Sequence, residues 1–130
     1  MIKLLRLGAD KVVINTEAVR KPHLITECAS VVGSQCIVLS IDAKANDNGS
    51  YAFYIDRGRE PTDLSPLEWA AKAQEKGAGE IFLNCFERVG FSQGYDLALL
   101  KIVVEAFDIP VVAMGGVLTW QHLVDGVTNG

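Results

Sequence analysis

The sequence predicts an α/β fold, a parallel sheet whose strands alternate with covering helices, and three observations carry that expectation. Apolar runs of strand composition alternate with amphipathic stretches in the order β-α-β-α-β-α-β. The run "CIVLSIDAK" is almost continuously apolar, as a strand buried on both faces must be. The stretch "LGADKVVIN" at residues 7–15 returns as "KGAGEIFLN" at 76–84, so one helix-to-strand junction is used twice.

Taken in order, "IKLLRLG" has apolar residues at helical spacing and stops at Gly8, a good helix-ending residue. "KVVIN" is a short β-branched strand. Asn15 and Thr16 can cap the turn that carries Glu17, and "KPHLITECASVVG" is a helix with Pro22 in its first turn and Gly33 at its end. After "CIVLSIDAK", the cluster Asn46-Asp47-Asn48-Gly49 is turn chemistry and "SYAFYI" is rich in strand formers, which predicts a small hairpin. "SPLEWAAKAQEKG" carries a capping box, with Ser65 as N-cap, Pro66 at N1 and Glu68 at N3. "EIFLNCF" is a strand, "DLALLKIVVEAF" a helix, "IPVVAMGG" a strand, and "TWQHLVDGVTNG" a helix stopping at Gly130. Trp69 and Trp120 sit at helical spacing and are expected to pack; His23 and His122 are expected on helix surfaces.

The 130 residues suit one domain, residues 1–130, without linkers or low-complexity stretches. With 49% hydrophobic and 22% charged residues the chain lies at the apolar end of the globular range. A net charge of −4 disfavours nucleic acid as a partner. The longest apolar stretch is broken by Glu105, Asp108 and Pro110, so no membrane span is expected. Cys28, Cys36 and Cys85 lie in apolar segments and read as reduced, packed thiols of a cytoplasmic protein. Their spacing suggests no metal site, and no cofactor is expected.

The repeat and the two ends, each a helix finishing on glycine, suggest an internal slice of a larger repetitive α/β protein. "GADKVVIN", "GSQCIVLSIDAK", "GAGEIFLN", "GYDLALLK" and "IPVVAMGG", in that order and spacing, resemble the cyclase subunit of imidazole glycerol phosphate synthase along essentially the whole chain. That family implies a (βα)8 TIM barrel of histidine biosynthesis. It takes ammonia from a glutaminase subunit and acts as a lyase, closing an imidazole ring on a doubly phosphorylated ribonucleotide; a related branch is associated with surface-polysaccharide genes. On this template the chain is a half-barrel, strands four to seven.

The resemblance assigns roles by position. Asp42, at a strand end, matches the second catalytic aspartate, whose partner belongs to strand one. A carboxylate pair there would give and take a proton during ring closure. Asn15 and Thr16 match holders of one substrate phosphate, and Gly90, Gly115 and Gly116 match the backbone cradle of the other. Lys11 and Glu80 match two of four charged residues that gate ammonia at the barrel base, and Asp10 one that faces the glutaminase. A plain ion pair at a wet strand rim is the bland alternative for Lys11 and Glu80. The chain departs from the family at Val89, Phe91 and Met114, where polar residues are expected, and a small polar pair has become Asn84 and Cys85. Apolar side chains there remove donors that a second phosphate needs, which argues against the family reaction.

Four strands of eight cannot close alone, and bare edges and an apolar face call for cover. The sheet is expected to open like flavodoxin with a helix over its inner face, to pair with a second copy as a homodimer or higher oligomer, or to be unstable without further strands. Three functions stay open: a binding half-barrel holding a phosphorylated small molecule, an ammonia-dependent cyclase active only as a completed barrel, and a fragment of such an enzyme.

Overall fold

The computed structural model describes residues 2–129, so the helix stop expected at Gly130 lies outside the described residues. The elements are α1 (Ile2–Arg6), β1 (Val12–Ile14), α2 (Thr16–Arg20), α3 (His23–Val32), β2 (Ile37–Ala45), β3 (Tyr51–Ile55), β4 (Glu60–Pro61), α4 (Pro66–Glu75), β5 (Glu80–Cys85), α5 (Leu97–Ala106), β6 (Val111–Met114) and α6 (Trp120–Asn129). Short 3-10 turns at Ser34–Cys36 and Phe86–Arg88 complete the chain.

Strand β2 is the axis of the sheet. Its first residues pair in parallel with β1, Val12 opposite Ile37 and Ile14 opposite Leu39. Its last residues pair antiparallel with β3 on that same side, Asp42 opposite Tyr54 and Ala45 opposite Tyr51. The other side pairs in parallel with β5, which pairs in parallel with β6. The four parallel strands therefore lie in the order β1-β2-β5-β6, and the β3–β4 hairpin pairs directly with the C-terminal half of β2 on the edge that β1 occupies at its start.

The repeated junction is one backbone conformation used twice. Gly8 and Gly77 have φ of 105° and 106°. In each copy the alanine N–H reaches back over five residues, Ala9 to the Leu4 carbonyl at 3.2 Å and Ala78 to the Ala73 carbonyl at 2.9 Å. In each, the glycine N–H bonds a carbonyl three residues before it. This is the Schellman pattern, which a side chain at the glycine position resists. Asn46 and Asn48 shape the hairpin turn as expected, with Asn48 Oδ1 accepting from the Ser50 N–H at 3.0 Å. The capping box of α4 is present in both directions.

Alternation along the strands gives the sheet two unlike faces. Leu39 and Ile41 of β2 and Ile81 and Leu83 of β5 turn to the helices and are buried with Ile25 of α3, Trp69 and Ala73 of α4, and Leu99 and Val103 of α5. The Phe53 ring of β3 stacks on Trp69, centroids 6.1 Å apart and planes 11° from parallel. On the opposite face the edge-strand residues Val13, Val112 and Met114 are 56%, 43% and 43% exposed, while Val38 and Ser40 of the central β2 are buried. Trp120 departs from expectation: it opens α6 and is 77% exposed, while Trp69 is fully buried.

Removing the Phe53 ring leaves a cavity against Trp69, whereas removing the Ser65 hydroxyl loses one cap. Phe53→Ala is expected to cost about 3–5 kcal/mol of unfolding free energy and Ser65→Ala about 1 kcal/mol. Urea denaturation with an unchanged m-value and midpoints falling in that order checks both.

Candidate functional site

The inner face carries polar residues at its two ends and apolar ones between. At the strand starts, Lys11 and Glu80 occupy equivalent places in the two repeats and form an ion pair across β2. At the strand ends the repeats finish on Asn15 and Asn84, which flank Asp42 from β1 and β5. Asn15 Nδ2 donates to Asp42 Oδ2 at 3.3 Å and to the Ser40 carbonyl at 3.2 Å. Asn84 Nδ2 donates to Asp42 Oδ1 at 2.8 Å. Register makes this possible: Asp42 is directly opposite Asn84, and alternation turns both to the same face. One carboxylate is thus held by two amides, one on each oxygen.

Asn15 does not cap α2, since its side chain turns to β2 instead. Thr16 Oγ1 donates to Asn15 Oδ1 at 3.1 Å and accepts from the Asp56 N–H at 2.9 Å. A chain of hydrogen bonds therefore runs from the hairpin turn through Thr16 and Asn15 to Asp42. That turn holds Asp56 and Arg57 at positive φ, 51° and 61°. Tyr54, opposite Asp42, meets the Phe86 ring edge-on with centroids 5.4 Å apart, so an aromatic pair borders the carboxylate.

Gly90, Gly115 and Gly116 are brought together. They line one open pocket of about 340 Å³ with Val89, Ser92, Tyr95, Ala113, Met114 and Val117. All three glycines have positive φ, of 87°, 122° and 74°. A Cβ on Gly115 would lie 2.8 Å from the Cys85 carbonyl oxygen, and one on Gly116 would lie 2.5 Å from that of Gly94. The backbone of the loop after β6 thus packs directly on the loop after β5, and only glycine fits. Val89 and Met114 line this pocket, and Phe91 beside it is exposed.

Behind the sheet, Asp96 caps α5 by accepting from the Leu99 N–H at 3.1 Å. Its carboxylate also accepts from the Tyr51 hydroxyl at 3.0 Å and pairs with Arg88 at 3.5 Å. Burial, then the hydrogen bond to Asp96, pushes the Tyr51 hydroxyl up to about 12. Burial and the Asp96 charge push the Cys85 thiol up to about 11, which makes it a poor nucleophile. Among the described residues no group of three His, Cys, Asp or Glu could hold a metal ion, and no helix is long and apolar enough to cross a membrane.

Parallel strands joined through helices, with polar groups gathered at their C-terminal ends, make a mixed α/β fold consistent with part of a (βα)8 barrel. A family model described as "Histidine biosynthesis protein" matches residues 1–130, and the chain belongs to that family.

Reading by position counted Asn84 only as a departure from the family and passed over Asp96 and Tyr51. Asn84 had a signal in the sequence: it is the last letter of the repeat, equivalent to Asn15. Asp96 and Tyr51 had none beyond an acidic residue before a helix, because their pairing joins distant segments.

Cys85 and Tyr51 hold their protons more tightly folded than unfolded, where they titrate near 9.0 and 10.0. Their contribution to stability is therefore fully present below about pH 9 and is lost as pH rises through about 11 and 12, because the unfolded chain releases those protons first. Urea midpoints measured from pH 8 to 12 are expected to show this decline, and Cys85→Ala to flatten its first part.

Proposed function

We propose that this chain is a cyclase-like half-barrel that binds a phosphorylated small molecule at the C-terminal ends of its strands and covers its open sheet with a second copy of itself. The observation that carries the binding reading is the convergence of Gly90, Gly115 and Gly116 on one pocket. Positive-φ glycines let backbone N–H groups approach an anion closely, as a phosphate requires. Asn15 and Thr16 stand across the mouth; their side chains bond Asp42 and the hairpin, so their part in holding phosphate runs through rearrangement of that chain of bonds. Val89, Phe91 and Met114 reduce the polar surface available to a second phosphate, which favours a monophosphate.

The oligomer reading rests on the apolar residues exposed at the flanks of the inner face, Val13, Val112 and Met114, and on the outer edges of β1 and β6. Four further strands close such a sheet, and a second copy carries four. A specific observation favours a second reading, an ammonia-dependent cyclase working only in a completed barrel: Asp42 is held at the mouth by two amides. In that reading the Lys11–Glu80 pair guards the base against a glutaminase partner, and two copies bring two Asp42 carboxylates to one mouth.

Sedimentation velocity is expected to give a discrete dimer, and a stable monomer would sink the assembly. Calorimetric titration with inorganic phosphate tests the pocket. Ser92 lines it at φ 57°, a conformation aspartate tolerates, so Ser92→Asp adds a repelling carboxylate at small cost to the fold. Phosphate affinity is expected to fall about tenfold or more; unchanged affinity places the anion elsewhere.

A further inference from the structure

We propose that the cavity behind the sheet, at Arg88 and Asp96, is a binding site for a small zwitterion of the α-amino acid class. It lies on the helix side of the sheet, apart from the mouth, and does not rest on the phosphate reading above.

The cavity has a volume of about 210 Å³, and Ala43, Ala45 and Cys85 give it an apolar wall. Ala43 is opposite Cys85, one position beyond the Asp42–Asn84 pair, so alternation turns both away from the mouth. Arg88, Asp96 and Tyr51 supply its polar groups.

Two of these groups are opposite charges that satisfy each other poorly. Asp96 is 8% exposed, and its Oδ1 is well used, accepting from the Leu99 N–H at 3.1 Å and the Tyr51 hydroxyl at 3.0 Å. Its Oδ2 meets only Arg88 Nη2, at 3.5 Å. Arg88 Nη1 donates to the Tyr95 carbonyl at 3.4 Å. Both distances exceed the roughly 2.7–2.9 Å of a charge-assisted bond. The other guanidinium N–H groups have no partner among the described residues. A buried carboxylate oxygen without a close donor, beside a guanidinium without a close acceptor, is a pair that native interiors seldom keep without a use.

Charge selects the ligand. Arg88 and Asp96 cancel, and Glu87, which also lines the cavity, is cancelled by Lys44 at 2.9 Å. A ligand with one net charge therefore leaves that charge unbalanced where burial makes it costly. A zwitterion does not: its carboxylate takes two parallel N–H groups of Arg88, and its ammonium donates to Asp96 Oδ2. In an α-amino acid both charges sit on one carbon, as the two protein charges sit side by side. The short chains of Ala43 and Ala45 leave room for a small side chain. Cys85, pushed up to about 11 by burial, stays a neutral thiol and leaves the charge balance unchanged.

The test titrates the isotopically labelled full chain with L-alanine, propionate and ethylamine, following backbone amide NMR signals. L-alanine is expected to give saturable shifts at Arg88 and Asp96. It is expected to bind about tenfold or more tightly than either analogue, since each lacks one charge-assisted bond. Asp96→Asn keeps a helix cap and an acceptor for Tyr51 but loses the charge. It is expected to weaken L-alanine about tenfold and to leave propionate no weaker. Absence of a saturable shift with L-alanine overturns the inference. So does an analogue that binds the wild type as tightly as L-alanine, a comparison that stands even where Asp96→Asn fails to fold. Equal weakening of L-alanine and propionate by Asp96→Asn assigns Asp96 a structural role alone and overturns the inference as well.

Discussion

Everything in this structure hangs on the register of β2. Among the described strands it is the one that pairs with three others, β1, β3 and β5, and its alternation decides which residues meet the helices and which meet the mouth. Leu39 and Ile41 enter the core because Ser40 and Asp42 face the other way. A slip of one residue exchanges the two sets, placing a carboxylate among Trp69 and Leu99 and aliphatic chains at the mouth. Such a slip costs far more than any single contact at the site, so the hydrophobic pattern holds Asp42 in place more firmly than its own hydrogen bonds do.

The two ends of the inner face are stabilised to different degrees. Lys11 is half exposed, and a pair of that kind contributes about 0–1 kcal/mol. It sets charge placement more than stability. The bonds from Asn15 and Asn84 to Asp42 are partly buried and charge-assisted, a class worth about 1.5–3 kcal/mol each. The mouth is therefore the more strongly bonded end, although the aromatic pair Tyr54–Phe86 and the exposed Met114 make its surroundings less polar than a doubly phosphorylated ligand needs.

Much of the fold was legible in the sequence because its causes are local. The Ser65 capping box, the Asn46–Gly49 turn and the glycine-ended helices each act within a few residues, and all stand where their motifs lie. The repeat was legible as a pattern, but its meaning depends on register. Only when β1 and β5 are placed on either side of β2 do Lys11 and Glu80 become a pair, and Asn15 and Asn84 a clamp. Asn15 illustrates the same limit: its type suits a helix cap, and tertiary pairing draws the side chain to Asp42 instead. Trp120 was misplaced because helical spacing shows that a residue shares a face, and not whether anything packs on that face.

The parallel seam between β2 and β5 also has a consequence in time. Val38 pairs with Glu80, so the hairpin, α4 and the second glycine junction must all be traversed before that seam can close. The β2–β3 contacts bridge a short turn and form early, on the microsecond scale of hairpins. The distant pairing pays loop closure first and is slower. During that interval Ile81 and Leu83 have no sheet beside them, and the nascent chain presents an adhesive strand. A delay in closing this seam lengthens the time those apolar side chains spend exposed, without weakening any contact of the finished fold.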